Sequence, residues 1–409
     1  MSFLTLQYGQ CGNQVGESLY STIFEDIKND ETSYFNKSLT KWFNVLPNNN
    51  YEARSILIDT ETKVINDRKE TPYAFKNIIA GSFGGGANNW AFGYNVHSHI
   101  IKDLMIDKVR LEVEKCDYML SFLNILSSSG GTGSGVGSRV IEELRDEYPN
   151  KLIVNAIVLP YLNGEIVTQN YNTILSLTKL HELSDVEILF ENEQIHELCV
   201  ERVYDSLNFS DLNKLIAFQL ASIFQPIGNE NNAIFLSHCT SHPLFKYLQI
   251  KSSYYNSKHP KFESNQCWRA LLNSTTRQTN YGKKLRSNSS VRIQEKNITS
   301  LVITRGEDEP DPNDFKALRD PSCYVNWMPT NNWFSYHEMR KICGNNRNIT
   351  IATNGNSICH YLNSIIEDAW MLFTKKAYLH HYQKFNVGDP EFREAFQLIE
   401  NVLAGYKHL

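Results

Sequence analysis

Over roughly the first 200 residues, short apolar runs of strand length alternate with amphipathic segments of helical period. The apolar runs at 3–8, 55–59, 118–127, 152–159 and 186–190 predict strands, and 100–115 and 137–148 predict helices between them. Strand–helix alternation of this kind predicts an α/β fold built on a doubly wound, mostly parallel sheet, with ligand loops at the carboxyl ends of its strands. Further on the pattern changes. Residues 210–224 open on Ser210 and carry apolar positions at helical spacing, which predicts a long helix over 210–226. Strands are expected at 300–304 and 323–327, and 273–297, rich in Asn, Ser, Thr and basic residues, reads as a loop. Two helical patterns, 362–383 and 390–406, close the chain around Asn386-Val-Gly-Asp389.

Candidate chemistry sits in the glycine-rich turns. The run 118–126 leads directly into Ser127-Ser-Ser-Gly-Gly-Thr-Gly-Ser-Gly-Val-Gly137, then a helical pattern. Such a turn brings unhindered backbone N–H groups to a helix N-terminus, where orphan donors and the helix dipole attract phosphate. Thr132 and Ser134 add hydroxyls. No lysine follows the last glycine, which excludes the P-loop, and Val136 and Ser138 break the Gly-x-Gly-x-x-Gly/Ala spacing of dinucleotide folds. Phosphates are therefore expected on backbone and hydroxyls alone.

The string Gly130-Gly-Thr-Gly-Ser-Gly135 resembles the signature loop of the tubulin family. Gly9-Gln-Cys-Gly-Asn-Gln14 is similar to that family's first nucleotide loop. Asn88-Asn-Trp-Ala-Phe-Gly93, preceded by Gly84-Gly-Gly86, is similar to its terminal-phosphate loop. The three stand in the family's order and spacing, and the similarity runs nearly to the C-terminus, weakest at 25–50, 225–245 and 255–298. It implies a GTP-binding domain over 1–209, a central helix over 210–226, a smaller mixed α/β domain over 227–360 and a C-terminal helical hairpin over 361–409. GTP or GDP with Mg2+ is the implied ligand.

Carried over position by position, the resemblance puts Gln10 and Cys11 beside the phosphates and Gly86, Ala87 and Asn88 at the terminal one. Gly130, Gly131, Thr132, Gly133 and Ser134 form the main cradle, with Ser129 in place of its usual first glycine. Glu61, followed by Thr62 where the family has proline, is implied to act on Mg2+ through its water shell, with Gln10 within reach of the same water. Glu165 and Gln169 fall in the ribose loop, and Gln169 stands where microtubule-forming tubulins carry an acid. Asn192 and Asn213 match the amides that read the guanine edge, since an amide offers both donor and acceptor, and Phe209 matches the stacking ring. As helix caps, both asparagines have a plainer use. The catalytic acid of tubulins arrives from a neighbouring subunit. Here the corresponding stretch, 225–235, is short and Glu230 is the one acid in reach.

Composition narrows the class further. The 409 residues are 41% hydrophobic, enough for two or three packed units. There is no apolar run of about 18 residues to cross a membrane, and Met1-Ser-Phe-Leu-Thr-Leu6 leads into a strand without a basic stretch or cleavage site, so secretion is not expected. The eight cysteines are scattered without a Cys-x-x-Cys pair and read as reduced cytosolic thiols, and Cys11 lacks a histidine partner nearby for nucleophilic work. Net charge is −5, yet 251–305 holds eleven Lys/Arg against Glu263 and Glu295, leaving −14 for the rest. A solvated face is the plain reading of that stretch and an acidic protein partner the functional one. It has no basic helix or stacking platform for nucleic acid.

Glu112-Val-Glu-Lys-Cys-Asp117, Asn163-Gly-Glu-Ile-Val-Thr-Gln-Asn-Tyr-Asn172, Phe224-Gln-Pro226 and Lys375-Lys-Ala-Tyr-Leu-His380 resemble the delta branch more than the alpha, beta or gamma branches. The last residues, Ala404-Gly-Tyr-Lys-His-Leu409, carry no acidic run, so the motor-recruiting tail of abundant tubulins is not expected. The delta resemblance implies a cytoplasmic, cytoskeletal protein of centrioles or basal bodies, supporting triplet microtubules and ciliogenesis with other tubulins or axonemal proteins as partners. The alternatives are a self-assembling GTPase of another divergent tubulin type and a bacterial-type division homologue.

Overall fold

The computed structural model describes residues 2–28, 30, 32–47, 50–61, 73, 75–81, 84–164, 166–202, 207–228, 232–255, 267–277, 295–328 and 332–409. Its strands are β1 Ser2–Tyr8, β2 Phe43–Val45, β3 Tyr51–Ala53, β4 Ser55–Asp59, β5 Ile78–Ala80 and β6 Met119–Ser127. They continue with β7 Leu152–Leu159, β8 Val186–Glu191, β9 Tyr247–Tyr255, β10 Asn297–Gly306, β11 Trp333–Glu338 and β12 Arg347–Gly355. The main helices are α1 Gly9–Ile27, α2 Ser33–Trp42, α3 Ser98–Glu114, α4 Gly137–Glu147, α5 Gln169–Leu183 and α6 Asn192–Arg202. After these come α7 Phe209–Phe224, α8 Asn232–Cys239, α9 Trp268–Arg277, α10 Cys359–Thr374, α11 Leu379–Gln383 and α12 Asp389–Lys407.

Ten strands share one sheet in the order β11-β10-β12-β9-β8-β7-β6-β1-β4-β5. From β5 to β9 every pairing is parallel, while β12 runs antiparallel to both β9 and β10. Strand β1 lies between β4 and β6, so the chain winds outward from it in both directions. That reversal leaves a crevice at the carboxyl ends of β1 and β6, and both glycine-rich turns begin there.

Alternation along the strands decides which layer each side chain joins. Leu4, Leu6 and Tyr8 pack into a core shared with α4, α5, α10 and α12, whereas Phe3 faces the opposite core with Val15, Trp42 and Phe224. Each fully buried aliphatic or aromatic side chain contributes about 1.5–3 kcal/mol. Trp370 stacks on Phe396 at 4.0 Å, closing α10 against α12.

The C-terminus of α7 is held by two buried basic side chains. The Lys41 ammonium donates to the Phe224 carbonyl at 2.5 Å, and Arg305 donates to the carbonyls of Pro226 (3.0 Å) and Gln225 (2.8 Å). These are carbonyls that a helix end leaves unpaired, and positive charge suits the dipole there. Burial, reinforced by Arg305, pulls the Lys41 pKa down to about 7. Nearby, Asp26 accepts from Arg340 at 3.1 Å, Cys343 N–H at 2.8 Å, Tyr34 O–H at 2.9 Å and Gln225 at 3.0 Å. One carboxylate thereby ties α1, α2 and α7 to the turn before β12.

Several local expectations change. The helix start is capped by Asn208 rather than Ser210: the Asn208 side chain accepts from Asp211 N–H and Asp211 accepts from Asn208 N–H. Residues 323–327 are not a strand. Pro321–Cys323 forms a tight turn capped by Asp320, and only Tyr324 bridges β10, whose parallel neighbour is instead β11. The pattern 362–383 breaks into α10 and α11. Lys376 N–H bonds Phe373 O and Ala377 N–H bonds Leu372 O, with Lys376 at φ +52°. This is the glycine-type helix stop made with lysine, so no glycine announces it. Helix α9 covers the first part of the expected loop, and residues 278–294 lie outside the described residues.

Candidate nucleotide site

Two helical starts without side-chain caps meet at the crevice. Helix α1 begins at Gly9 straight from β1, with no capping side chain on Tyr8 and no acid in its first turn. Opposite it, Gly131–Val136 winds as a wide π-type turn, uncapped at Gly130, and runs on into α4. Wide turns of this kind recur at functional sites, and uncapped starts leave N–H donors for an anion. The two approach closely: a Cβ at Gly9 would lie 3.2 Å from Gly133 N, and Gly9 already has φ +66°. Glycine is required at that position for both reasons.

The third turn closes one side. A Cβ on Gly86 would meet Thr132 N at 2.8 Å, and one on Gly131 would meet Gly86 O at 2.0 Å. Ala87 and Asn88 both hold φ +49°, an uncommon and strained backbone for non-glycine residues. The Glu61 carboxylate lies against Gly85, where a Cβ would come within 2.1 Å of its Oε1. Thr132 shares a 2.7 Å hydroxyl contact with Thr60, and the Ser134 hydroxyl donates to the Gly130 carbonyl. Ser134 therefore spends its proton inside the turn.

At the other end, Asn213 on α7 donates to Gln14 Oε1 at 3.5 Å, one turn along α1 from Gln10 and Cys11. Gln14, Phe209 and Asn213 line the head of a trench of about 890 Å3 between α1 and α7. Phe209 is 72% exposed and also borders a second hollow with Tyr161, His196 and Glu197. A bare aromatic face at a helix start offers a stacking surface to a planar partner. Asn192, half-buried at the first position of α6, does not line the trench. Contacts thus run in one order: Asn213 to Gln14, Gly9 to Thr132 and Gly133, Thr132 to Gly86, Gly85 to Glu61.

The remaining expected residues separate. Gln10 is exposed at the mouth of α1. Burial pushes the Cys11 thiol up to about 12, which removes it as a nucleophile at neutral pH and leaves it packing. Gln169 is buried and donates to Tyr161 O at 2.6 Å, bracing its loop. Glu165 and Glu230 lie outside the described residues. Among the described residues no cluster of three His, Cys, Asp or Glu side chains could hold an ion by itself.

Asn172, the last residue of the delta-like phrase 163–172, was given no role by the sequence. Fully buried on α5, it donates to Asn88 O (2.8 Å) and Ser129 O (2.7 Å) and accepts from Trp90 N–H (2.9 Å) and Tyr382 O–H (2.6 Å). The available signal was a polar residue inside the apolar helical run of α5.

The description "Tubulin/FtsZ family, GTPase domain" matches residues 2–200. The chain is 31% identical to the tubulin delta chain of Macaca fascicularis and 30% to that of Homo sapiens, covering all of both chains in each case. The chain belongs to the tubulin family. Similarity to the delta chains exceeds that to the tubulin beta chain of Aspergillus fumigatus, 26% identical over 98% of this chain and 93% of that one. Membership brings a guanine-nucleotide-binding domain, within a microtubule-cytoskeleton family whose members associate with other tubulins. No helix among the described residues is long and apolar enough to cross a membrane.

Proposed function

We propose that this tubulin holds GTP or GDP across the ordered contacts just described. The base stacks on Phe209 and meets the amide of Asn213, the ribose lies toward the Gln169 loop, and the phosphates lie on Gly130, Gly131, Thr132, Gly133 and Ser134. Gln10 and Cys11 flank them, and Gly86, Ala87 and Asn88 approach the terminal phosphate. Asn192 at the base and Glu165 at the ribose rest on the family resemblance alone. The observation that carries this reading is the close approach of the two uncapped starts, where a Cβ on Gly9 would already stand 3.2 Å from Gly133 N, which gathers donors and dipoles on one small space. Mg2+ fits the same arrangement. It takes hard oxygen ligands, retains water and commonly uses one or two carboxylates beside substrate phosphates. Glu61 supplies such a carboxylate next to Gly85, and the exposed Gln10 amide can reach a water of the ion.

Identity of 30–31% to delta chains over the full length supports a delta-type role, with partner tubulins or axonemal proteins at centrioles or basal bodies, in triplet microtubules and ciliogenesis. Hydrolysis is assigned to assembly with a partner, since the only acid that the resemblance offers for donation is Glu230. The deciding experiment is mass spectrometry of nucleotide released from purified protein, with GTP–ATP competition alongside. Bound guanine nucleotide with strong preference over ATP is expected, and no bound nucleotide or equal affinities would overturn the site. Tagged protein that never collects at basal bodies would separately overturn the delta-type role.

A further inference from the structure

The Asn172 side chain has no spare capacity. A carboxamide offers two donors and two acceptor lone pairs, and all four are used, on Asn88 O, Ser129 O, Trp90 N–H and Tyr382 O–H. Three of these partners belong to the glycine turns and their continuation. The fourth comes from α11, in the link between α10 and α12, more than 200 residues away in sequence. A saturated, buried amide cannot follow one partner without disturbing the others.

Both ends of this connection are under backbone strain. Ala87 and Asn88 sit at φ +49°, and Lys376, Tyr378 and Asn386 in the link sit at +52°, +60° and +60°. Such residues persist only where surrounding contacts over-determine them. Further bonds run in parallel: Asn89 Nδ2 to His381 O at 3.0 Å and Asn95 Nδ2 to Phe385 O at 2.6 Å, with the Phe92 and Phe385 rings 4.7 Å apart. Tyr171 O–H also reaches the link, at Ala377 O (3.2 Å) rather than at the Asn172 amide, and its ring stands edge-on to that of Tyr382 at 5.7 Å.

We propose that Asn172 and Tyr382 are positioning residues that couple the terminal-phosphate turn, residues 84–88, to the link at 375–388. The inference rests on the nucleotide reading above. A triphosphate fixes the Asn88 carbonyl and, through Asn172, the Tyr382 hydroxyl. A diphosphate leaves that turn without its anion and relaxes the link. Coupling of this kind is reciprocal: whatever holds the link in place favours GTP over GDP by the same factor.

The test compares Tyr382→Phe, which deletes one hydroxyl, with Tyr171→Phe, which deletes a hydroxyl bonded to the same link but outside the relay. GTP and GDP affinities and hydrogen exchange of 375–388 are measured in each. In the wild type the link exchanges more slowly with GTP than with GDP. Tyr382→Phe is expected to weaken GTP about five-fold, the scale of one net hydrogen bond, to leave GDP nearly unchanged and to erase the exchange difference. Tyr171→Phe keeps the wild-type GTP:GDP ratio. A merely structural hydroxyl would lower the melting temperature and weaken both nucleotides together. An unchanged ratio in Tyr382→Phe, an equal shift in Tyr171→Phe, or wild-type exchange blind to the nucleotide would overturn the coupling. A wild type that binds no guanine nucleotide would instead overturn the site itself.

Discussion

Replacing Gly131 with alanine puts a new Cβ 2.0 Å from Gly86 O, 2.7 Å from Gly86 C and 3.0 Å from Asn89 N. All three are backbone atoms, so no flexible side chain can swing aside. A comfortable contact needs about 3.5 Å, so the two turns must part by roughly 1.5 Å. They are fastened at this point by Asn172, which grips Asn88 O and Ser129 O, while the 3.0 Å bond from Asn89 N–H to Gly86 O stiffens one turn from within. Overpacking costs about 1–3 kcal/mol and a lost hydrogen bond about 1 kcal/mol more, giving roughly 2–4 kcal/mol. At about 1 °C per kcal/mol for a chain of this size, the nucleotide-free protein should melt at least about 2 °C lower. Separation of the turns also disperses their donors, so GTP–Mg2+ affinity should fall about 10–100-fold, with a matching loss of ligand-induced stabilisation. Gly130→Ala is the control: its φ is −91° and its Cβ meets nothing within 4 Å. Thermal melts of both variants, with and without GTP–Mg2+, decide the matter. If nucleotide-free Gly131→Ala melts with the wild type, or if both variants fall equally, the close approach of the two turns is not what shapes the cradle.

Asn213→Ala should lower the GTP-over-ATP preference at least about ten-fold before binding itself disappears, because a site built to hydrogen-bond one base edge rejects the other; an unchanged ratio in competition binding removes Asn213 from the base. The Lys41 pKa is about 7 in the fold against an ordinary 10.5, so the unfolded chain holds the extra proton between those values and stability rises with pH across that window. Lys41→Met should flatten this rise in urea midpoints taken from pH 7 to 9, and an undiminished slope would mean that another group titrates. Asp26→Ala removes the shared acceptor of Cys343 N–H, Tyr34 and Gln225 while Arg340 keeps Asp30 at 2.5 Å, and should cost about 2–4 kcal/mol by chemical denaturation; a loss under about 1 kcal/mol would make the cluster a surface pair. The isolated chain should hydrolyse GTP very slowly, and single-turnover rates that climb with protein concentration and collapse in Glu230→Ala would show self-assembly with catalysis in trans.

What the sequence determined by itself follows from local rules. Continuous apolar runs located β1, β4, β6, β7 and β8 within about a residue, because these strands are buried on both faces, and 3.6-residue periodicity located the amphipathic helices between them. Glycine turns after β1 and β6 were legible because only glycine tolerates the close approach of Gly9 to Gly133 and of Gly131 to Gly86. Tertiary structure decided the rest. Lys376 ends α10 in a conformation that favours glycine, held by its surroundings rather than by propensity. Residues 323–327 gave up strand pairing to a proline turn, and β11 took the edge of β10 instead. The Ser134 hydroxyl turned inward, and Phe209 stayed bare although it is apolar. Asn172 shows the limit most clearly. Its four partners come from residues 88, 90, 129 and 382, and a pattern read along the chain carries no information about distances across it.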